Sequence, residues 1–278
     1  MMNSQLPLFT VITPSFNQGH FIEETIKSIL SQKYPNLEHL VMDGGSKDNT
    51  HEVVKKYPHI IWTSEKDRGQ THAVNKGVMR AKGSIIGWVN SDDTFLPGAF
   101  DAVVKKFMSD PSCGIVFGDY QAIDEKGAIL YTQKSFCGTY EEMIRWWDYT
   151  YAVHQPAVFV KKEVFDAVGL MDESYHYAMD YEWWLRAAKV FPFQYLPQYL
   201  ATYRMHKDAK SFAPLETYVY PEQLKASKKH WGPVWLPRYW KFRKSYLAWV
   251  ARKPKETLHN PALSDWFEEA KQKQQQAS

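Results

Sequence analysis

The sequence predicts an α/β protein with a doubly wound, mostly parallel central sheet flanked by helices. Three observations carry that expectation. Through the first hundred or so residues, apolar runs of strand length alternate with stretches of helical periodicity. The loops that join them are short. The apolar runs end in polar clusters: Ser15 and Asn17, Asp43 and Ser46, Glu65 to Arg68, and Asn90 to Asp93. In an open parallel sheet the strand C-termini share one rim, and ligands bind there.

Taken in order, Leu8 to Ile12 is the first strand, running into the turn signal Thr13-Pro14-Ser15-Phe16-Asn17. Phe21, Ile22, Ile26, Ile29 and Leu30 recur at helical spacing. Leu37 to Met42 is the second strand, followed by a turn at Asp43 to Asp48 and a helix through Val53 and Val54. Ile60 to Trp62 is the third strand and Ala73 to Ala81 the third helix. Ile85 to Val89 is the fourth strand. A helix follows Pro97 to about Met108, then a strand at Ile115 to Phe117 and a hairpin over Asp119 to Thr132 that turns near Glu125-Lys126-Gly127. Tyr140 to Trp147 reads as helix, Pro156 to Val160 as strand, and Glu163 to Val168 as a helix ended by Gly169. Met179 to Val190 is a longer helix, and Phe193 to Tyr203 is extended.

The fourth strand is the focus. Its apolar run stops abruptly at Asn90-Ser91-Asp92-Asp93. Adjacent carboxylates repel unless a cation or a donor network offsets them. Oxygen ligands of this kind suit Mg²⁺ or Mn²⁺. The plainer alternative is an Asp-rich turn that caps the helix after Pro97.

Composition bounds the rest. The 278 residues, 44% hydrophobic and 15% aromatic, support one large domain or one domain with a small appendage. A net charge of +3 implies no global nucleic-acid field. Cys113 and Cys137 are the only cysteines, too few for a disulfide framework, so a reducing cytoplasm is expected. Neither a signal peptide nor an apolar run of transmembrane length is predicted. No Gly-x-Gly-x-x-Gly or phosphate loop follows the first strand, which disfavours a dinucleotide site and a Walker ATPase.

Composition shifts after Tyr220. From there to Lys255 ten Lys and Arg face a single acid, Glu222, with Trp231, Trp235, Tyr239, Trp240, Phe242, Tyr246 and Trp249 interleaved. Two readings stay open: a helical appendage packed by its aromatics, or a surface resting on anionic lipid at the inner face of the membrane. Pro233 and Pro237 argue against one continuous helix. The Gln-rich tail from Lys271 reads as frayed.

Five motifs, in order, resemble those of the family-2 glycosyltransferases with a GT-A fold, of the kind that builds bacterial surface polysaccharides. They are TPSFN (13–17), MDGGSKDNT (42–50), SEKDRGQ (64–70) with AVNKG (73–77), GWVNSDD (87–93) and GLMDESYHYAMDYEWWLR (169–186). The resemblance covers roughly residues 7–206. It implies a GT-A catalytic domain over 1–212, with a nucleotide-binding half to about 118 and an acceptor half from 119, and a basic, aromatic C-terminal region over 213–278.

The same resemblance implies an inverting, metal-dependent transfer of a sugar from a nucleotide-sugar, a UDP-sugar first, to a hydroxyl on a saccharide or lipid-linked acceptor. Pro14, Ser15 and Phe16 match the segment that holds the nucleobase. Asp43 matches the acid that reads base and ribose, although Gly44 stands where a second acid is common. Arg68 lies in the loop that faces the nucleotide. Asp92 resembles the acid that meets ribose or the metal shell, and Asp93 the direct ligand to Mn²⁺ or Mg²⁺. His206 stands where several such enzymes carry a late His on metal or diphosphate. Asp180 matches the base, with Asp172, Glu173 and Glu182 as substitutes. Apart from the resemblance, His154-Gln155 precedes a strand and can touch donor or acceptor, although a lone His is more often structural.

Each residue also has a plain reading. Phe16 can be core, Asp43 can serve the turn before Gly44-Gly45, and Asp67 with Arg68 can be a solvated pair. Asp180 can simply favour a helix N-terminus. A non-catalytic nucleotide- or carbohydrate-binding module on the same scaffold is the alternative function. A nucleotidyltransferase is third, because no glycine- and arginine-rich loop follows the first strand.

Overall fold

The computed structural model describes residues 6–148, 151–210 and 213–252. In chain order the first half runs β1 (Phe9–Ser15), α1 (Ile22–Ser31), β2 (Leu37–Asp43), α2 (Thr50–Val54), β3 (Ile60–Ser64), α3 (Gln70–Arg80), β4 (Ile85–Trp88), β5 (Thr94–Phe95) and α4 (Ala99–Ser109). Next come β6 (Ile115–Ile123), β7 (Ile129–Gln133), β8 (Phe136–Cys137), α5 (Tyr140–Ile144), β9 (Tyr151–Ala152), β10 (Val158–Lys161), α6 (Lys162–Val168), α7 (Met179–Ala187) and β11 (Phe193–Arg204). Helices α8 (Tyr220–Lys228) and α9 (Pro237–Arg252) follow.

The sheet has the order β3-β2-β1-β4-β10-β6-β11-β5, with β7 beside β6. Strands β3, β2, β1 and β4 are parallel, as expected, and so are β6 and β11. Between the two sets β10 runs antiparallel to both neighbours. Sequence patterns do not reveal strand direction, and β10 enters the sheet from a distant part of the chain.

Alternation along β1 explains the two cores. Ile12 points to one face, with Val74, Ile86, Trp147 and Trp183. Phe9 and Val11 point to the other, with Phe100, Val103 and Phe159. Strand β1 continues through the expected turn to Ser15, which pairs with Asp43 of β2. The turn starts later, at Asn17, whose φ is +54°.

Two helices are shorter than the apolar pattern predicts. α5 stops at Ile144, and a separate 3-10 turn, Trp146–Asp148, follows it. α7 stops at Ala187. The C-terminal region breaks at Pro233 and Pro237 into α8 and α9, as the prolines predict. Its aromatics reach the core: Trp231 and Phe242 are buried beside Trp147. Burying one such side chain stabilises by about 1.5–3 kcal/mol. The Gln-rich tail lies outside the described residues. Among the described residues, no helix is long and apolar enough to cross a membrane.

Candidate active site

A cavity of about 720 Å³ opens at the C-terminal ends of β1 and β4. Its volume suits a small-molecule ligand. One wall is Pro14, Ser15, Phe16 and Gly44, as the strand-end argument predicts. The Phe16 ring is 60% exposed, so it is not core. A Cβ on Gly44 would stand 2.8 Å from an Asp67 oxygen and 3.2 Å from the Phe16 ring, so a larger residue there would displace both side chains from the wall. Ser15 Oγ is buried without a hydrogen-bond partner among the described residues.

Two residues expected at the nucleotide are engaged elsewhere. Asp43 is buried, and its carboxylate accepts from Gly45 N (3.1 Å), Ser46 N (3.0 Å), Ser64 Oγ (2.5 Å) and Ser46 Oγ. It shapes the Gly44–Ser46 turn, the plainer of its two readings, and is absent from the cavity wall. Arg68 forks onto Glu173 at 2.8 and 3.0 Å with its side chain 68% exposed, and the wall excludes it too. Its neighbour Asp67 lines the cavity instead, with Oδ1 held by Gly69 N at 2.9 Å.

The Asn90–Asp93 turn separates its carboxylates. Asp93 is 1% exposed; Oδ1 accepts from Arg204 N at 2.8 Å and Oδ2 from Asn90 Nδ2 at 3.1 Å. Burial, then the neighbouring Asp92 charge, pushes its carboxyl well above the usual range. Asp92 keeps 16% exposure, lines the cavity and meets His206 Nε2 at 2.9 Å. Arg204, a residue that pattern reading missed, sits 1% exposed behind both. Its guanidinium donates to Asp92 O at 2.8 Å and to Asp124 O at 3.0 Å, and pairs with Glu24. Asn90 makes four bonds, with Gln70, Trp88, Asp93 and Gln155, so the turn is fixed from all sides.

Asp93, the expected direct metal ligand, lines the cavity too, and each of its oxygens accepts one bond from a protein donor. A carboxylate oxygen of Asp92 lies 2.9 Å from the imidazole Nε2 of His206, a donor pair that fits Mn²⁺, while His206 itself is 2% exposed and absent from the cavity wall. No group of three or more His, Cys, Asp and Glu converges among the described residues, so ligand oxygens and water would complete the shell.

The remaining walls come from α7 and the segment after β11. Asp180, in the first turn of α7, lines the cavity. Burial pushes its carboxyl up to about 6, against the bond from Tyr181 N at 2.7 Å. Lys210 lines the same space, and burial lowers its ammonium to about 8 against the pull of Glu222, Asp180 and Asp67. Nothing in the sequence around it singles it out. The substitute bases are elsewhere. Asp172 binds Ser174 N (2.9 Å) and Lys229 (3.2 Å), which hold it at about 2 against the cost of burial. Glu173 holds Arg68, and Glu182 is buried against Arg186 at 2.9 Å. His154 and Gln155 do line the cavity. The His154 ring packs at a tilt against Tyr120, centroids 3.9 Å apart, and burial lowers it to about 4, so it is neutral at pH 7. Leu215, Val219 and Gln223 line the cavity as well, so the expected boundary at 212/213 runs through the site.

The sheet, the rim site and the motif order define a GT-A glycosyltransferase scaffold. The family profile described as glycosyl transferase family 2 matches residues 10–169, and the chain belongs to that family. Among its relatives is an uncharacterized glycosyltransferase of Rickettsia typhi, 28% identical over 209 residues, 73% of this chain and 66% of that one. The putative teichuronic acid biosynthesis glycosyltransferase TuaG of Bacillus subtilis is 31% identical over 46% of this chain and 53% of its own. The chain spans about two thirds or less of the length of these curated relatives. Among solved structures, S. aureus TarS 1–349 in complex with UDP-GlcNAc aligns with a TM-score of 0.66 at 16% identity, covering 86% of this chain and 72% of that one. The Pyrobaculum calidifontis mannosyltransferase PcManGT, in complex with GDP-Man and Mn²⁺, gives 0.56 at 19%, covering 96% and 80%. At such identities the likeness is one of fold.

Proposed function

We propose that the chain transfers a sugar from a nucleotide-sugar to an acceptor hydroxyl with inversion at C1, in polysaccharide or glycoconjugate synthesis. The observation that carries this is a partly buried Asp180, held at about 6, in the same cavity as Asp92. A carboxyl poised near neutral pH suits a general base. A non-catalytic binding module has no use for it. TarS with UDP-GlcNAc and PcManGT with GDP-Man and Mn²⁺ support a nucleotide-sugar donor.

Asp180 takes the acceptor hydroxyl proton as that oxygen attacks C1. The bond from C1 to the phosphate oxygen breaks, and the nucleoside diphosphate leaves. Phe16 offers an exposed ring face on which a base can stack. Ser15 Oγ has a free hydrogen-bonding capacity toward the same ligand. Lys210 sets a positive charge in the cavity for the departing phosphates. A Mn²⁺ or Mg²⁺ ion held by Asp92 and His206 would supply Lewis-acid stabilisation of the diphosphate. Asp93 then serves to fix Arg204 and Asn90.

Hydrolysis of a panel of UDP- and GDP-sugars, with Mn²⁺ and with EDTA, tests the reading. Mn²⁺-dependent release of the diphosphate is expected. Undiminished release in EDTA would sink the metal role. UDP binding with no hydrolysis of any donor would favour the binding module.

The C-terminal region adds a second reading, peripheral contact with anionic lipid. Between Val234 and Arg252 stand five cations and no acid. Trp235 is 79% exposed, and Leu236, Trp240 and Leu247 are exposed beside it. Trp240 Nε1 bonds Val234 O at 2.7 Å, which ties the turn to the helix. Aromatic and basic residues mixed in this way suit the headgroup interface. Co-sedimentation with anionic vesicles at low salt is expected, with loss at high salt and with neutral lipid. Equal binding to neutral lipid would defeat this reading.

A further inference from the structure

Glu222 is the one acid in the basic stretch that begins at Tyr220, and it does not pair with any of those cations among the described residues. Its carboxylate accepts from three consecutive backbone N–H groups. His176 N reaches both oxygens at 3.0 Å, Tyr177 N reaches Oε2 at 2.7 Å and Ala178 N reaches it at 2.9 Å. Three amides converging on one anion form a nest, and bonds to a charged acceptor are the strong kind. On the carbonyl side of the same segment, Lys210 Nζ donates to His176 O at 3.0 Å. The Tyr177 ring packs on Tyr218 at 5.3 Å. Asp180 follows two residues after Ala178, the residue that caps α7.

We infer that Glu222, with Lys210, clamps residues 176–178 and so aims Asp180 into the cavity: Glu222 is a positioning residue for the catalytic base. This rests on the proposed role of Asp180. It also gives the C-terminal region a part in the chemistry. The approach to α7 carries no side-chain cap of its own, and α7 has no capping hydrogen bond from Ala178. Its entry angle is set from α8.

The carboxylate geometry has an electrostatic corollary. Glu222 and Asp180 both favour the charged form of Lys210, which burial opposes. Removing the Glu222 charge therefore weakens the Lys210 cation, and activity on the alkaline side falls at lower pH.

Three variants of the full chain test the clamp: Glu222→Gln, Glu222→Ala and Asp180→Asn. The first readout needs no substrate. Hydrogen exchange by mass spectrometry follows the amides of 176–178, with UDP titration and melting temperature measured beside it. Glu222→Ala should speed exchange of those amides by about 10-fold or more, while UDP affinity stays within about twofold. Glu222→Gln keeps the shape and one oxygen acceptor, so a smaller increase is expected. The second readout is Mn²⁺-dependent hydrolysis of UDP-GlcNAc, UDP-Glc and GDP-Man. Glu222→Ala should lower kcat about 10-fold with KM nearly unchanged and move the alkaline limb to lower pH. Unchanged exchange at 176–178 in both Glu222 variants would overturn the clamp. Faster exchange with an unchanged kcat and pH profile would overturn the positioning role. Near-normal kcat in Asp180→Asn, alongside faster exchange in Glu222→Ala, would remove the base from Asp180 and leave the clamp standing as a structural brace without its positioning role.

Discussion

At the ends of β2 and β4, Asp43 and Asp93 are buried and hold donors from their own fold, Asp43 behind the cavity wall and Asp93 on it. On the wall built by α7, residues 208–210 and residues 215–223, Asp180 and Lys210 face the cavity with pKa values moved toward neutrality. Both walls are rich in charge, and the first also presents Asp92 to the cavity. A carboxylate with its lone pairs occupied by backbone amides is architecture. A carboxylate with one such bond and a desolvated surface, like Asp180, is suited to the base we propose. Burial therefore has opposite meanings on the two walls, and the count of donors decides which applies.

The largest expected effect falls on the second wall. Asp180→Asn should lower kcat by about 10² or more while UDP affinity survives. Wild-type kcat should rise as pH passes about 6, where Asp180 ionises, and fall above about 8, where Lys210 loses its charge. Folding raises the Asp180 pKa, so its contribution to stability is full below the unfolded value and is lost as pH rises through about 6. At pH 7.5 the Asn variant should therefore melt a few degrees higher than wild type. Lower melting together with normal turnover would place Asp180 with the architectural acids.

Next comes the contrast within one turn. Asp92→Ala should weaken Mn²⁺ affinity at least about 10-fold, read as loss of the Mn²⁺-induced rise in melting temperature. Asp93→Ala should lower melting temperature with Mn²⁺ absent, because Asn90 and Arg204 lose their acceptor. The reverse pattern would return the direct metal contact to Asp93. A smaller effect is expected for Asp43→Ala: about 2 kcal/mol of stability, from donors left without an acceptor, with nucleotide affinity nearly intact in the folded fraction. A large loss of UDP affinity at normal stability would make Asp43 a reader of the base. Smallest of all, Arg68→Ala breaks an exposed pair with Glu173 and should cost under about 1 kcal/mol and under twofold in turnover.

These cases show what was legible and what was not. The strand-end rule named Ser15, Asp67, Asn90, Asp92 and Asp93, which line one cavity, because polarity at the end of an apolar run marks the rim, while Pro14, Phe16 and Asp180 came from the family resemblance. It could not tell which way a rim carboxylate points. Asp43 serves the local turn that was its plainer reading, whereas Arg68 turns to Glu173 and Asp93 accepts from Arg204 N, partners more than a hundred residues away that no local pattern identifies. Lys210 was invisible for a related reason. It is one lysine in a charged segment, and burial beside Asp180 sets it apart only in three dimensions. In the fold, the long apolar runs were found, while the two-residue strand β5 was missed. β5 exists through its pairing with β11, which lies far along the chain.

The position of β10 has a consequence for how the chain acquires its structure. β10 fills the place between β4 and β6, yet it is synthesised only after β5 to β9. Until then β4 presents an unpaired edge with Ile85 and Ile86 on it. Non-local pairing of this kind slows folding, and an open apolar edge invites self-association. A chain halted after residue 118 lacks the strand that joins β4 to β6, and its apolar edge is one on which such a fragment is prone to aggregate.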